Sequence, residues 1–367
     1  MTLRLEDALL ETAERIVIRG GATTHAGSMC AEGIAWLGGT ERASVLFGGL
    51  LEAARAAQPD DRAQRLSSLV AAQARARWLT EARRTTDDLA AVPVTWDSRL
   101  SHPLQVAEAR LECRQPDLVR EALVAAREAL RIAARPQYLV QKLALLQIDA
   151  GDPTVEETWP LLRDGEADAF SRSGVVRVAV RLGKREEAWD LLLTLLDEPT
   201  NFAVAIADVI QAAPGRADEV RELVERERDP HTRATLLVSI ARGLAFHPDY
   251  FDAAMEMLDE ALLRLAGAPA QHRWDALVRS AEVASAAGRG ALTARYARQA
   301  EECLGAHPDP HRLGGTGRAL ARSGEREAAH RLLLDWLART PDPASIDWEM
   351  PVLWRDIAIT FPAPADR

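Results

Sequence analysis

Gly183–Pro199 reads GKREEAWDLLLTLLDEP, and Gly324–Pro341 reads GEREAAHRLLLDWLARTP. Of the first eleven residues, seven agree between the two: Gly, Arg, Glu, Ala and three consecutive Leu. The copies start 141 residues apart, about four periods of roughly 35 residues, the spacing of helical-hairpin repeats. In one copy Ala188 is followed by Leu191, Leu192, Leu195 and Leu196. In the other Ala329 is followed by Leu332, Leu333, Trp336 and Leu337. Both follow the spacing of an apolar helix face turned into a core.

Working outward, the same offsets recur from Ala254 (Met257, Leu258, Ala261, Leu262) and from Ala122 (Ala125, Ala126, Ala129, Leu130). Shorter matches start at Val155, Val220 and Thr293. Partner helices lie between them, at Ala169–Leu182, Phe202–Ala213, Thr232–Phe246, Trp274–Ala287 and Leu313–Arg322. A breaker follows each: Gly183, Pro214-Gly215, Pro248-Asp249, Gly288 and Gly324. Gly there suits a left-handed helix cap. Most second helices close on Pro, which is tolerated in the first turn of the next helix. The pattern predicts an all-α chain of fourteen to sixteen helices, an α-solenoid of antiparallel hairpins curved into a right-handed superhelix. The next anchor falls near residue 364, so residues 350–360 are expected to form an unpaired, capping final helix.

Residues 1–100 carry a weaker pattern. Leu5, Leu9, Leu10, Ala13 and Ile16 make one apolar stripe. Gly20–Ser28, GGATTHAGS, reads as a loop, with Ser28 capping a helix to Leu37. One long helix is expected over Arg62–Arg83. Ala91–Pro103 contains two Pro and breaks the period. The expected division is therefore an irregular helical region, 1–100, and a repeat array, 101–367.

Gly followed five residues later by Ala, with a Pro closing the hairpin, on a period near 34 residues, resembles the tetratricopeptide repeat. Gly183/Ala188/Pro199 and Gly324/Ala329/Pro341 carry the likeness. Gly317 stands at the family's Leu-Gly position. The resemblance covers roughly residues 104–361 and implies a protein- or peptide-binding scaffold.

Composition narrows the function. The net charge is −10, with Arg interleaved among Glu and Asp. Nucleic-acid binding needs a basic face, so such a partner is not expected. No apolar run approaches the length of a membrane span, and the start is acidic, unlike a signal peptide. A cytoplasmic protein is expected. Cys30, Cys113 and Cys303 are distant from one another and lack metal-ligand spacing. No H-E-x-x-H or G-x-S-x-G occurs. No cofactor, metal or catalytic residue is assigned, and a non-catalytic role is favoured.

Candidate binding residues follow from register. Arg177, Arg242 and Arg318 each lie six residues before a breaker, so they are expected to line one concave groove and fork the carboxylates of an acidic segment. His231, His272 and His311 each open a first helix and are expected to form a column. An alternative is a small-molecule or enzymatic pocket near His25, Trp36, Trp78 and Trp96. Self-association into a homo-oligomer is a third reading.

Overall fold

The computed structural model describes residues 5–19, 24–93, 99, 101–132, 137–165, 169–305, 309–339 and 349–361. Among them are twenty α-helices and no strand. They run α1 (Leu5–Arg19), α2 (Thr24–Trp36), α3 (Thr40–Arg55), α4 (Pro59–Arg75), α5 (Leu79–Ala90), α6 (Ser101–Glu112) and α7 (Pro116–Ile132). Then come α8 (Gln137–Asp149), α9 (Val155–Arg163), α10 (Ala169–Arg181), α11 (Arg185–Leu193), α12 (Pro199–Ala212) and α13 (Ala217–Val224). The rest are α14 (Pro230–Leu244), α15 (Phe251–Arg264), α16 (Ala270–Ala286), α17 (Gly290–Glu302), α18 (Pro310–Arg322), α19 (Arg326–Arg339) and α20 (Glu349–Ala358).

Each even-numbered helix packs against the even-numbered helices before and after it, while odd-numbered helices sit across the joints. One antiparallel pair cannot bury its own apolar face, so neighbour stacking supplies the core. The sequence anchors hold this seam together. Ala188, Leu192, Ala254, Leu258, Ala329, Leu333 and Leu337 are essentially inaccessible. α7 departs from the expected register. Its buried face is Val119, Leu123, Ala126 and Leu130, with Ala125 exposed, because Leu and Val displace Ala from the core.

Seven inner helices end alike. Gly38, Gly151, Gly183, Gly288 and Gly324 adopt positive φ two residues past α2, α8, α10, α16 and α18. After α4 and α6 the same position is filled by Arg77 (φ 65°) and Arg114 (φ 56°), a conformation costly for a side-chain-bearing residue. Arg77 splits the single helix expected over 62–83 into α4 and α5. Ser28 is also not a cap: α2 begins at Thr24, so Thr24–Ser28 is helical. The inner–outer alternation runs through residues 24–90 as it does beyond them.

The two ends of the array meet. α20 packs on α18 and α19 on one side and on α1 and α2 on the other. α20 therefore has a partner, α1, which fills the outer position of the tenth hairpin. Trp354 is fully buried, and its Nε1 donates to the Leu9 carbonyl at 2.9 Å. Its ring lies where a Cβ on Gly33 would stand only 2.2 Å from Cζ3, so α2 can approach α20 only because residue 33 has no side chain. Trp36 Nε1 donates to the Phe361 carbonyl at 2.8 Å. Thr12 Oγ1 donates to the Ala8 carbonyl at 2.8 Å and stands 3.0 Å from His330 Nε2. The hydroxyl's one proton is thereby used, so Nε2 carries the proton of that second bond. His330 is buried. Ten inner helices spaced 8–10 Å apart put their axes on a circle about 30 Å across.

Candidate functional site

The inner layer is the concave one, since single cavities on it are walled by three or four successive even-numbered helices. Two such cavities lie on opposite arcs of the ring.

The first is lined from α10, α12, α14 and α16 and encloses about 130 Å³. Arg177, Asp208, Arg242, Glu282 and Arg318 each stand six residues before the breaker that follows α10, α12, α14, α16 or α18, namely Gly183, Pro214, Pro248, Gly288 and Gly324. They form a row of alternating charge across neighbouring helices. Arg177 Nε donates to Asp208 Oδ2 at 2.9 Å, and Glu282 pairs with Arg322 at 3.3 Å. Arg279 is held by Asp275 at 3.1 Å. Among the described residues, neither Arg242 nor Arg318 has an ionic partner. Arg177, Arg242 and Arg279 line the cavity with Val204 and Phe246, which are 46% and 53% exposed. Arg318 lies on the next inner helix and is not part of the lining. The sequence reading missed Val204, Phe246 and Arg279. The equivalent-register rule that found the arginines would have reached Asp208 and Glu282 as well.

The histidine column is partly assembled. The rings of His231 and His272 stack at 4.1 Å with an 18° interplanar angle. His311 instead meets the edge of Trp274 at 5.5 Å. The arginines beside them are engaged locally. Arg233 Nη2 donates to the Glu227 carbonyl at 2.7 Å. Arg312 pairs with Asp309 at 3.0 Å, and Arg273 reaches Cys303 Sγ at 3.7 Å. Asp229 caps α14, and the Thr232 backbone N–H holds its carboxyl below the usual range.

The second cavity encloses about 280 Å³ and is walled by α2, α4, α6 and α20. His25 lines it, but Trp36 and Trp78 do not. Trp36 is the last residue of α2 and donates to Phe361, and Trp78 packs edge-on to Phe47 at 5.2 Å. Trp96 lies outside the described residues. Hydroxyls and charges replace the expected aromatic wall: Ser28, Ser67, Ser68, Arg75, Glu112 and Arg355. Behind them Glu32 is buried. Its Oε2 accepts from Arg75 Nε at 3.0 Å, forms an ion pair with Arg75 Nη2 at 3.0 Å and lies 4.0 Å from Arg355 Nη1. Arg355 also pairs with Asp356 at 2.8 Å. Burial pushes the Glu32 carboxyl up, against the pull of both guanidiniums. Burial likewise raises Glu112. Partial burial and then the two arginines lower His25.

Among the described residues no group of three or more His, Cys, Asp or Glu converges on a metal-sized site. No described helix is long and apolar enough to cross a membrane. All three cysteines are buried and unpaired, and burial raises the Cys30 thiol to about 12, far from a reactive thiolate.

No protein-family model matches the chain, and no curated protein matches it. Among solved structures, a "circular tandem repeat protein with novel repeat topology and enhanced subunit contact surfaces" aligns over 95% of this chain and 96% of its own, at 16% identity and a TM-score of 0.25.

Proposed function

We propose that the protein is a non-catalytic binding scaffold whose inner face, over α10–α16, takes a peptide segment bearing acidic and apolar side chains. One observation carries this. Arg242 has no ionic partner among the described residues, and it shares a cavity with the solvent-facing Val204 and Phe246. An exposed aromatic beside an arginine with unused donors is the composition of a protein-recognition hot spot. The concave wall supplies enclosure, and the helices supply rigidity, so little ordering of the receptor opposes binding. Arg177 and Arg279, each already held by an aspartate, keep the cavity's charge balanced until a ligand carboxylate arrives at Arg242.

Fluorescence anisotropy with labelled peptides tests the reading. A library of Asp/Glu peptides interspersed with Leu and Phe is titrated with the full chain, beside a Lys/Leu/Phe library of matched hydropathy. The acidic set should bind, and Arg242→Glu should weaken it by about tenfold or more, the loss of one charge-assisted contact made repulsive. Equal binding of the basic set, or unchanged affinity in Arg242→Glu, would reject the proposal.

A further inference from the structure

We propose that the polar cavity between α20, α2, α4 and α6 is a second binding site, taking a small α-amino-acid-like zwitterion. Glu32 is shared by Arg75 and Arg355, Asp356 takes the other edge of Arg355, and Lys142 holds Glu108 at 2.7 Å. Glu112 lines the same cavity, half-buried, and has no hydrogen-bond or ionic partner among the described residues. A carboxylate so placed has lost water without gaining a partner. A ligand ammonium restores the balance. Burial raises Glu112, although the nearby Arg75 charge pulls it down.

The other half of the ligand is set by Arg75. Its Nε and Nη2 are committed to Glu32, while Nη1 makes no bond among the described residues and the side chain is 43% exposed. The free edge of a guanidinium is a carboxylate receptor. His25, Ser67 and Ser68 add hydrogen-bonding groups on the same wall. An apolar ligand would strand these groups. A polyanion would meet Glu112. About 280 Å³ suits a molecule of amino-acid size. Because Arg355 belongs to α20 and the remaining wall to α2, α4 and α6, the ligand bridges the last helix to the first ones and stabilises the joint by mass action.

The test uses the full chain, isothermal titration calorimetry and thermal unfolding. L-serine, L-glutamine and L-arginine are the zwitterionic probes, with putrescine and acetate supplying the ammonium and the carboxylate separately. At least one amino acid should bind more tightly than putrescine or acetate and raise the thermal midpoint. Glu112→Gln should weaken that binding about tenfold or more. Ser68→Leu, which fills the cavity without touching an ion pair, should abolish it. Arg242→Glu, on the other arc, should leave it unchanged whatever its effect on peptides. The proposal is overturned if none of the three amino acids binds, if Ser68→Leu and Glu112→Gln bind as the parent does, or if either half-ligand binds as well as the whole.

Discussion

Trp354→Ala removes the largest side chain buried at the joint between α20, α1 and α2. Trp354 is fully inaccessible and ranks first by volume among such residues. Deleting a buried Trp to Ala costs about 3–5 kcal/mol in transfer and cavity terms. The bond from Nε1 to the Leu9 carbonyl is also lost. That carbonyl lies inside α1 and keeps its helical partner, so the loss adds about 1 kcal/mol. The expected total is about 4–6 kcal/mol. It falls on one joint of a structure stabilised by neighbour-to-neighbour stacking, so it should open the ring there. Hydrogen exchange read by mass spectrometry resolves the location. Amides of α1, α2 and α20 should lose protection, while those of α12 and α14, on the far arc, keep it. If protection at α1 were unchanged, or if urea unfolding moved by less than about 1 kcal/mol, Trp354 would not be holding two ends together and the closure argument would fail.

Other outcomes follow from the same packing. Leu192→Ala, at an inaccessible position of α11, should cost about 2–5 kcal/mol in urea unfolding; an unchanged midpoint would say that the repeat face is misassigned. Burial lowers His330 below the ordinary imidazole value. The unfolded chain then binds the proton more readily than the native one, so stability is fully present above about pH 6.5 and falls as the pH drops below it. Thermal midpoints from pH 8 down to about 5 should show this fall, and His330→Gln should reduce it, the remainder coming from His25 and His102, which burial also lowers. Leu5 and Phe361 line one surface cavity. A circular permutant of residues 5–361 that joins Leu5 to Phe361 through a short flexible linker and opens at exposed Gly267 should therefore fold, with the parent's circular dichroism and a cooperative transition.

The sequence held the hairpin array in its strongest copies because Ala, Leu and Gly repeat there at fixed offsets. Ala188, Ala254 and Ala329 are buried where their spacing puts them. The period was hard to follow in the first hundred residues for a definable reason. The left-handed closing position after α4 is Arg77, and nothing in an arginine announces positive φ. Gly33 was equally silent, because its need for a missing side chain comes from Trp354, far along the chain. Closure rests on such long-range pairs, Thr12 with His330 and Trp36 with Phe361, which no local period encodes. Of the candidate sites, Arg177 and Arg242 meet in one cavity because each lies six residues before the breaker that closes its inner helix. Phe246, expected to end a helix over Thr232–Phe246, instead follows α14 in its closing turn and faces the cavity. The seam cavity could be approached only through His25, since its other charged residues come from three further helices.

The central claim is that α1 and α20 are neighbours. Double electron–electron resonance measures this directly, with spin labels on cysteines introduced at exposed Glu11 and Ile359. The native Cys30, Cys113 and Cys303 are buried and should stay unlabelled in the folded protein. A closed ring predicts a single narrow distribution within about 30 Å, one helix spacing plus two label arms. Ten hairpins left open would carry their end helices toward about 80 Å apart, and a broad distribution centred beyond about 50 Å would contradict the ring.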